Sequence, residues 1–277
     1  MAWSGGIDST VVLISMLETK PHDRDLHVRF TEESIKEFPS YYDKVVSKNW
    51  VPTPKKDLYD PIFYSDENFL KISGDCGDQV FGSDSVVDNN DAFHSPWETI
   101  KKWDLEDIYS YSLNNIYESD VQMKDTMFEF LHEHTSYCPF EIKTIYDLYW
   151  WVNFSLKWQH VKYRMPITFS AGIAHSSAIA FFDTTDFQKW SLSNHDIKHN
   201  TTWTSYKQPA KDFIHKYHHD LDYLKNKKKV GSGKESTRRG GYIFSPKLIL
   251  SDGRIWRNGD TIPKSVDEQL LLPDNVG

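Results

Sequence analysis

A glycine-containing turn stands directly before an apolar helix in residues 4–10, which read SGGIDST. Gly5 and Gly6 let the backbone adopt dihedral angles that other residues avoid, and residues 8–19 carry apolar side chains at helical spacing. The unpaired N–H groups and the dipole of a helix N-terminus favour a bound anion. Further hydroxyl donors come from Ser4, Ser9 and Thr10. This segment therefore predicts an anion site where a strand passes into a helix.

Asp8 lies inside the predicted anion site. A carboxylate repels a bare phosphate, so its presence indicates a bridging Mg²⁺ and favours a metal–phosphate complex. The alternative is an ordinary turn in which Asp8 or Ser9 caps the helix.

A second glycine loop, residues 73–79 (SGDCGDQ), follows an apolar strand and carries Asp75 and Asp78. On their own these carboxylates could simply be turn formers. If the strands before the two loops are neighbours in one sheet, Asp8 and Asp78 face one cavity and can share a magnesium ion.

The chain divides into three parts by pattern. Strands and helices alternate through about residue 95, which predicts a parallel sheet with ligands at the carboxyl ends of its strands. Residues 96–225 are aromatic and compatible with long helices, and three tryptophans there are expected in the core, namely Trp150, Trp151 and Trp158. Residues 226–277 hold a basic glycine-containing loop and a predicted hairpin around an Asp-Gly turn.

Composition limits the class of protein and its partners. The 277 residues are 39% hydrophobic and 26% charged, as in a globular protein with a full core, and the net charge of -8 argues against general nucleic-acid binding. The two cysteines are far apart, which excludes a disulfide framework and indicates a reducing compartment. No apolar run is as long as a membrane span, so we expect a cytoplasmic protein without a membrane partner.

Four motifs in order resemble those of one enzyme family. SGGIDST resembles the loop SGGxDS of the PP-loop ATP pyrophosphatases, and SGDCGDQVFG is similar to SGxGxDExxxG of asparagine and β-lactam synthetases, with Gln79 in place of Glu. Arg164 and Pro166 fit the segment ExRxPFLD, although an insertion follows them. A helix beginning YK then leads to a basic KxG loop, so that the resemblance covers most of residues 1–235.

The resemblance implies a PP-loop fold, with a parallel-sheet core, a largely helical C-terminal portion and a terminal β-hairpin. It implies one asparagine synthetase-like domain over residues 1–277, with the nucleotide-binding core in about 1–95. The implied activity is that of an ATP-dependent carbon–nitrogen ligase. Such an enzyme uses ATP and Mg²⁺ to adenylate a small-molecule carboxylate, releases pyrophosphate, and forms an amide with ammonia or an amine.

The resemblance also implies individual residue roles. The backbone of Val28 would meet adenine and Gly74 the ribose, while the first loop would hold the β and γ phosphates. Asp75 stands where the family faces the acyl substrate. Lys229 stands at the active-site lysine, which would stabilise the transition state.

Two other functions stay open at this point. One is a PP-loop enzyme that adenylates a nucleobase or another nucleic-acid-derived substrate, and the other is a degenerate module that only binds ATP. Glutamine-dependent members of the family carry a glutaminase domain before the first loop, whereas this chain has three residues there. We therefore expect no glutamine hydrolysis by this chain, and a separate glutaminase could supply its ammonia.

Overall fold

A computed structural model describes residues 1–19, 25–50, 70–82, 102–116, 121–168, 178–198, 206–227, 247–249 and 255–257. Within these residues the protein is mixed α/β and mostly helical, with a small two-stranded parallel sheet. The segment with Lys229 and the Asp-Gly turn of the predicted hairpin lie outside the described residues.

Helix α1 spans Ile7–Thr19, which confirms the predicted helix after the first glycine loop. Its first half is buried on all sides, since residues 9–14 are consecutive buried positions, whereas residues 15–19 are partly buried or exposed. The residues before it run parallel to the segment around Arg29: Trp3 N–H donates to Arg29 O at 2.8 Å, and Arg29 N–H donates to Met1 O at 2.9 Å. The strand expected there is a single bridge between Ala2 and Arg29.

The helical segment that follows is interrupted at a proline. Helix α2 (Glu32–Glu37) begins at Thr31, whose hydroxyl accepts a hydrogen bond from Ser34 N–H at 3.4 Å. Pro39 has no N–H to continue the helical ladder, so α2 ends before it. The chain then continues through α3 (Pro39–Tyr41), a π-helical turn (Tyr42–Val46) and α4 (Ser47–Asn49).

Strand β1 (Lys71–Ser73) precedes the second glycine loop, where the sequence predicts a strand. It pairs in parallel with β2 (Ala178–Ala180), with Ile72 opposite Ile179. Helix α5 (Gly77–Phe81) follows β1 after three residues, 74–76, so the second loop passes from a strand into a helix.

Most of the remaining described residues are helical. The helices are α6 (Leu105–Ile116), α7 (Val121–Ser136), α8 (Ile145–Thr168), α9 (Thr185–Ser193), α10 (Gln208–His218) and α11 (Leu221–Asn226), with a 3₁₀ turn at His195–Ile197. Strands β3 (Lys247–Ile249) and β4 (Ile255–Arg257) pair antiparallel, in agreement with the predicted hairpin.

Helix α8 packs against helix α5, which follows the second glycine loop. Its Tyr146 hydroxyl donates to Phe81 O at 3.0 Å, and the Trp150 indole N–H donates to Gln79 O at 2.9 Å. Trp150, Trp151 and Trp158 are all buried, which confirms their predicted place in the core. The aromatic part of the chain therefore holds α5 in position.

None of the helices in the described part of the chain combines the length and hydropathy needed to cross a membrane.

Lys198 is a fully buried lysine in the helical part. Its Nζ donates to Ser191 O at 2.8 Å and lies 3.4 Å from the centre of the Trp150 ring. Burial lowers the pKa of Lys198 to about 6, although the nearby carboxylate of Asp147 acts in the opposite direction. Between pH 6 and the ordinary lysine pKa, the unfolded chain therefore binds a proton that the folded chain does not.

We expect the substitution Lys198→Met to stabilise the protein most at low pH. The penalty for a charged Lys198 is complete below about pH 6 and declines as the pH rises toward the ordinary value of 10.5. The gain in unfolding free energy over the wild type should shrink by up to about 1.4 kcal/mol per pH unit above pH 6. Urea unfolding at pH 5.5, 7.0 and 8.5 measures the difference in unfolding free energy between Lys198→Met and the wild type. Lys216→Met, at an exposed position, is the matched control. A gain that does not vary with pH would contradict this account.

Candidate functional site

The two glycine loops pack directly against each other. A Cβ atom built on Gly74 would lie 2.9 Å from the backbone nitrogen of Ser9, and one built on Gly77 would lie 2.6 Å from Asp8 Oδ1. Only glycine leaves room for this approach, because real Cβ contacts are longer. The second loop is therefore seated on the first turn of α1.

Asp8 and Asp78 converge on one cation, the ammonium group of Lys207. Lys207 Nζ lies 2.8 Å from Oδ1 and 2.6 Å from Oδ2 of Asp8, and 2.6 Å from Oδ1 of Asp78. An oxygen from each carboxylate is thus 2.6 Å from the same nitrogen, so these two oxygens are no farther apart than twice that distance. The structure brings together the two carboxylates that the sequence proposes as magnesium ligands.

Lys207 holds this position because it stands directly before α10, which packs against α1. Its backbone adopts the left-handed conformation, with φ of 54°. Few non-glycine residues adopt this conformation, and it costs about 1–3 kcal/mol when tertiary contacts enforce it. The turn before α10 is therefore shaped to deliver the ammonium to the two carboxylates.

The cluster Asp8–Lys207–Asp78 is closed on the lysine side and open on the carboxylate side. The Lys207 side chain is 5% exposed, whereas that of Asp78 is 49% exposed. Burial lowers the pKa of Lys207, but the attraction of Asp78 and Asp8 outweighs burial and raises the pKa above its ordinary value. Lys207 is thus charged at neutral pH, and two carboxylates with one ammonium carry one net negative charge.

The hydroxyl groups of the first loop form an internal network. The hydroxyls of Ser4 and Ser9 are 2.9 Å apart, and Ser4 N–H donates to Ser9 Oγ at 3.1 Å. Thr10 is fully buried: its hydroxyl donates to Gly6 O at 2.8 Å and accepts from the Trp3 indole at 3.0 Å. Ser4 and Ser9 are thus held at the start of α1, while the hydroxyl of Thr10 braces the loop from inside.

Position 5 requires a glycine both for its backbone conformation and for packing. Its φ is +76°, and a Cβ atom there would lie 2.7 Å from the Cβ of Glu37. Glu37 is itself buried and accepts a hydrogen bond from Lys227 Nζ at 2.5 Å. The first loop is therefore packed against a second buried ion pair, which joins α2 to the residue that follows α11.

The structure also places three residues whose roles the family resemblance implies. Val28 is buried beside the parallel bridge at Arg29, next to the first loop. Gly74 touches the first turn of α1, as described above. Asp75 lies in the turn after β1, where its Oδ2 accepts from the Ser73 hydroxyl at 2.8 Å. The remaining residue, Lys229, lies outside the described part of the chain.

Lys207 is the site residue that motif reasoning missed. The family resemblance includes a helix that begins with Tyr206 and Lys207, but it implies Lys229, and not Lys207, as the active-site lysine. The sequence does hold a signal. Pro209 marks the start of a helix, so Lys207 stands at a helix N-terminus, where a cation is unfavourable without a carboxylate partner.

Asp8 and Asp78 suit a metal ion whose other ligands are phosphate oxygens and water. Mg²⁺ is usually held by one or two carboxylates together with phosphate oxygens and water, and Asp8 and Asp78 supply two carboxylates. The described residues contain no group of three or more His, Cys, Asp or Glu side chains arranged to hold a metal. These residues therefore fit a metal–phosphate complex better than an all-protein metal cage.

Comparisons of the chain with protein-family models, with curated protein sequences and with solved structures found no match. The contacts, charges and burial of the described residues therefore carry the functional argument.

Replacing Gly77 with Ala should damage the contact between the two loops. The new methyl group would press on the Asp8 carboxylate, which Lys207 holds from another side, so we expect a loss of about 1–3 kcal/mol in unfolding free energy. Gly6→Ala is the matched control, because a Cβ there would only approach the Ser4 hydroxyl, at 3.3 Å. Denaturant unfolding of both variants without nucleotide measures the difference, and equal losses would contradict the proposed packing.

Proposed function

We propose that this chain is an ATP-dependent carbon–nitrogen ligase of the PP-loop type, similar to asparagine synthetase. It would adenylate a small-molecule carboxylate, release pyrophosphate, and form an amide with ammonia or an amine. The observation that carries the proposal is the convergence of Asp8 and Asp78, one from each glycine loop, on a single cation position. A structural turn at either loop would not require this convergence.

The first loop would bind the phosphates of ATP. The N–H groups at the start of α1 have no helical partners upstream and point toward the N-terminal end, as in other helix-terminus anion sites. Ser4 and Ser9 add hydroxyl groups beside them. Their mutual hydrogen bonds hold them in place before any ligand arrives, which lowers the reorganisation needed on binding.

Asp8 and Asp78 would hold Mg²⁺ together with phosphate oxygens. When bound, Mg²⁺ supplies positive charge that offsets the negative charge developing on the leaving pyrophosphate. Lys207 would add an ammonium group beside the same phosphates, since it already lies at the two carboxylates. Its charge is maintained by Asp8 and Asp78, so it can donate hydrogen bonds throughout the reaction.

The remaining roles follow the family resemblance. Val28 and Gly74 would contact the nucleoside, Asp75 would face the acyl substrate or the amine, and Lys229 would act on the reacting phosphate. The reaction would proceed in two steps. First, a carboxylate oxygen attacks the α-phosphorus of ATP as pyrophosphate leaves. A nitrogen then attacks the acyl carbon as AMP leaves. The nitrogen atom loses a proton as the amide forms, and Asp75 is a suitable acceptor for it.

The proposal places the enzyme in the cytoplasm, on the basis of its two widely spaced cysteines. Its partners would be a small-molecule carboxylate and an amine or ammonia, which a separate glutaminase could supply.

Substrate-dependent exchange of labelled pyrophosphate into ATP tests this function directly. The protein is incubated with MgATP, labelled pyrophosphate and a panel of carboxylates, and we expect exchange with at least one of them. Asp78→Asn should reduce the exchange by at least about 100-fold, because it removes one of two charged metal ligands. The exposed Asp43→Asn is the matched control and should retain exchange.

Other results would point to different functions. Exchange that depends on a nucleobase or nucleic-acid substrate instead of a carboxylate would support the alternative adenylating enzyme. Tight ATP binding without exchange across the whole panel would support a module that only binds ATP. Full exchange by Asp78→Asn would show that the metal assignment is wrong.

A further inference from the structure

We propose that Lys207 is an internal counter-ion that keeps free divalent metal out of the Asp8–Asp78 pair, so that the site takes its metal only together with a nucleotide. This inference rests on the proposed function, because it concerns how the same site is loaded.

The ammonium group of Lys207 donates hydrogen bonds to the carboxylate oxygens that a metal ion would use as ligands. An ammonium has three N–H donors, and Lys207 Nζ lies within 2.8 Å of three carboxylate oxygens, two from Asp8 and one from Asp78. A divalent ion in the pair would use these same oxygens as ligands. Metal and ammonium therefore compete for one set of acceptors.

Leaving the pair would be costly for Lys207 when no other acceptor is present. Its side chain is only 5% exposed, so solvent cannot readily replace the carboxylates as partners. A buried ammonium that loses its counter-charge carries a large desolvation penalty. Free metal must overcome this penalty, which weakens its binding.

A nucleotide removes the penalty because its phosphate oxygens are alternative acceptors for the ammonium. Charge-assisted bonds from an ammonium to phosphate are about as strong as those to a carboxylate. The approach is open on the Asp78 side, since that side chain is 49% exposed. On another side of Asp8, Gly77 packs so closely that an added Cβ would lie 2.6 Å from Oδ1, so the carboxylate cannot move away in that direction.

Repulsion between the two cations acts in the same direction. A free divalent ion bound to the pair would lie next to the ammonium, with these two carboxylates as the only anions that both cations share. A metal–nucleotide complex brings phosphate oxygens as further partners. Ammonium and metal can then both remain near the carboxylates, each with phosphate oxygens as partners.

Equilibrium dialysis with Mn²⁺ tests this inference. Protein-bound Mn²⁺ is measured for the wild type and for Lys207→Met, each without nucleotide and with a non-hydrolysable ATP analogue in both compartments. We expect Lys207→Met to bind Mn²⁺ alone at least about tenfold more tightly than the wild type. The wild type should gain Mn²⁺ binding when the analogue is present.

Two control variants assign the effect to this site. Lys216→Met removes a charge from the exposed side of the same helix and should behave as the wild type. Adding Asp78→Asn to Lys207→Met should abolish the gain in Mn²⁺ binding. Circular dichroism shows whether each variant is folded. If Lys207→Met does not fold, the wild-type measurements with and without the analogue still test the inference.

The outcomes separate this inference from the proposed function. Wild-type protein that binds Mn²⁺ tightly without the analogue, and no more tightly with it, overturns the inference, as does folded Lys207→Met without tighter Mn²⁺ binding. If the wild type binds little Mn²⁺ with or without the analogue while Lys207→Met binds it tightly, Lys207 does block the pair and the proposed nucleotide function is wrong.

Discussion

The structure depends most on the charged contact among Asp8, Lys207 and Asp78. It joins the first turns of α1 and α5 to the residue before α10, across 199 and 129 positions of the chain. Removing Lys207 would leave two neighbouring carboxylates without a counter-charge, and removing a carboxylate would leave the buried ammonium with less compensation. The arrangement of these three elements therefore follows from the same charges that the proposed reaction would use.

Local patterns in the sequence predict much of the fold. The apolar spacing of α1, the proline that ends α2 and the apolar run of β1 each act over a few residues, so each can be read without knowing the rest of the chain. The strand expected before α1 is different, because the structure shows one bridge there, between Ala2 and Arg29. A strand exists only where a neighbour pairs with it, and the pattern of one segment does not report the length of that pairing.

The site was predictable in its residue types and less so in its geometry. Carboxylates in two glycine loops indicate a shared cation. That prediction holds only if the two loops are neighbours in space, which the sequence does not show. Lys207 could not be placed in the same way, because the contact spans most of the chain and leaves no periodic signal. The glycines likewise have a second purpose: Gly5 and Gly77 are needed for packing against Glu37 and Asp8, whatever the loops bind.

The first loop lies between two lysine contacts of different kinds. Lys227 is bound to Glu37, whose side chain is 1% exposed, so this pair has no open side and acts as a fixed support. Lys207 is equally buried, but one of its carboxylate partners is half exposed, so its contact can be exchanged for a ligand. Tyr223 lies near both, and burial together with the charges of Asp8 and Glu37 raises its pKa well above the ordinary value. A loop held rigidly by one ion pair and bordered by an exchangeable one can receive a charged ligand with little backbone movement, since only the second contact has to change.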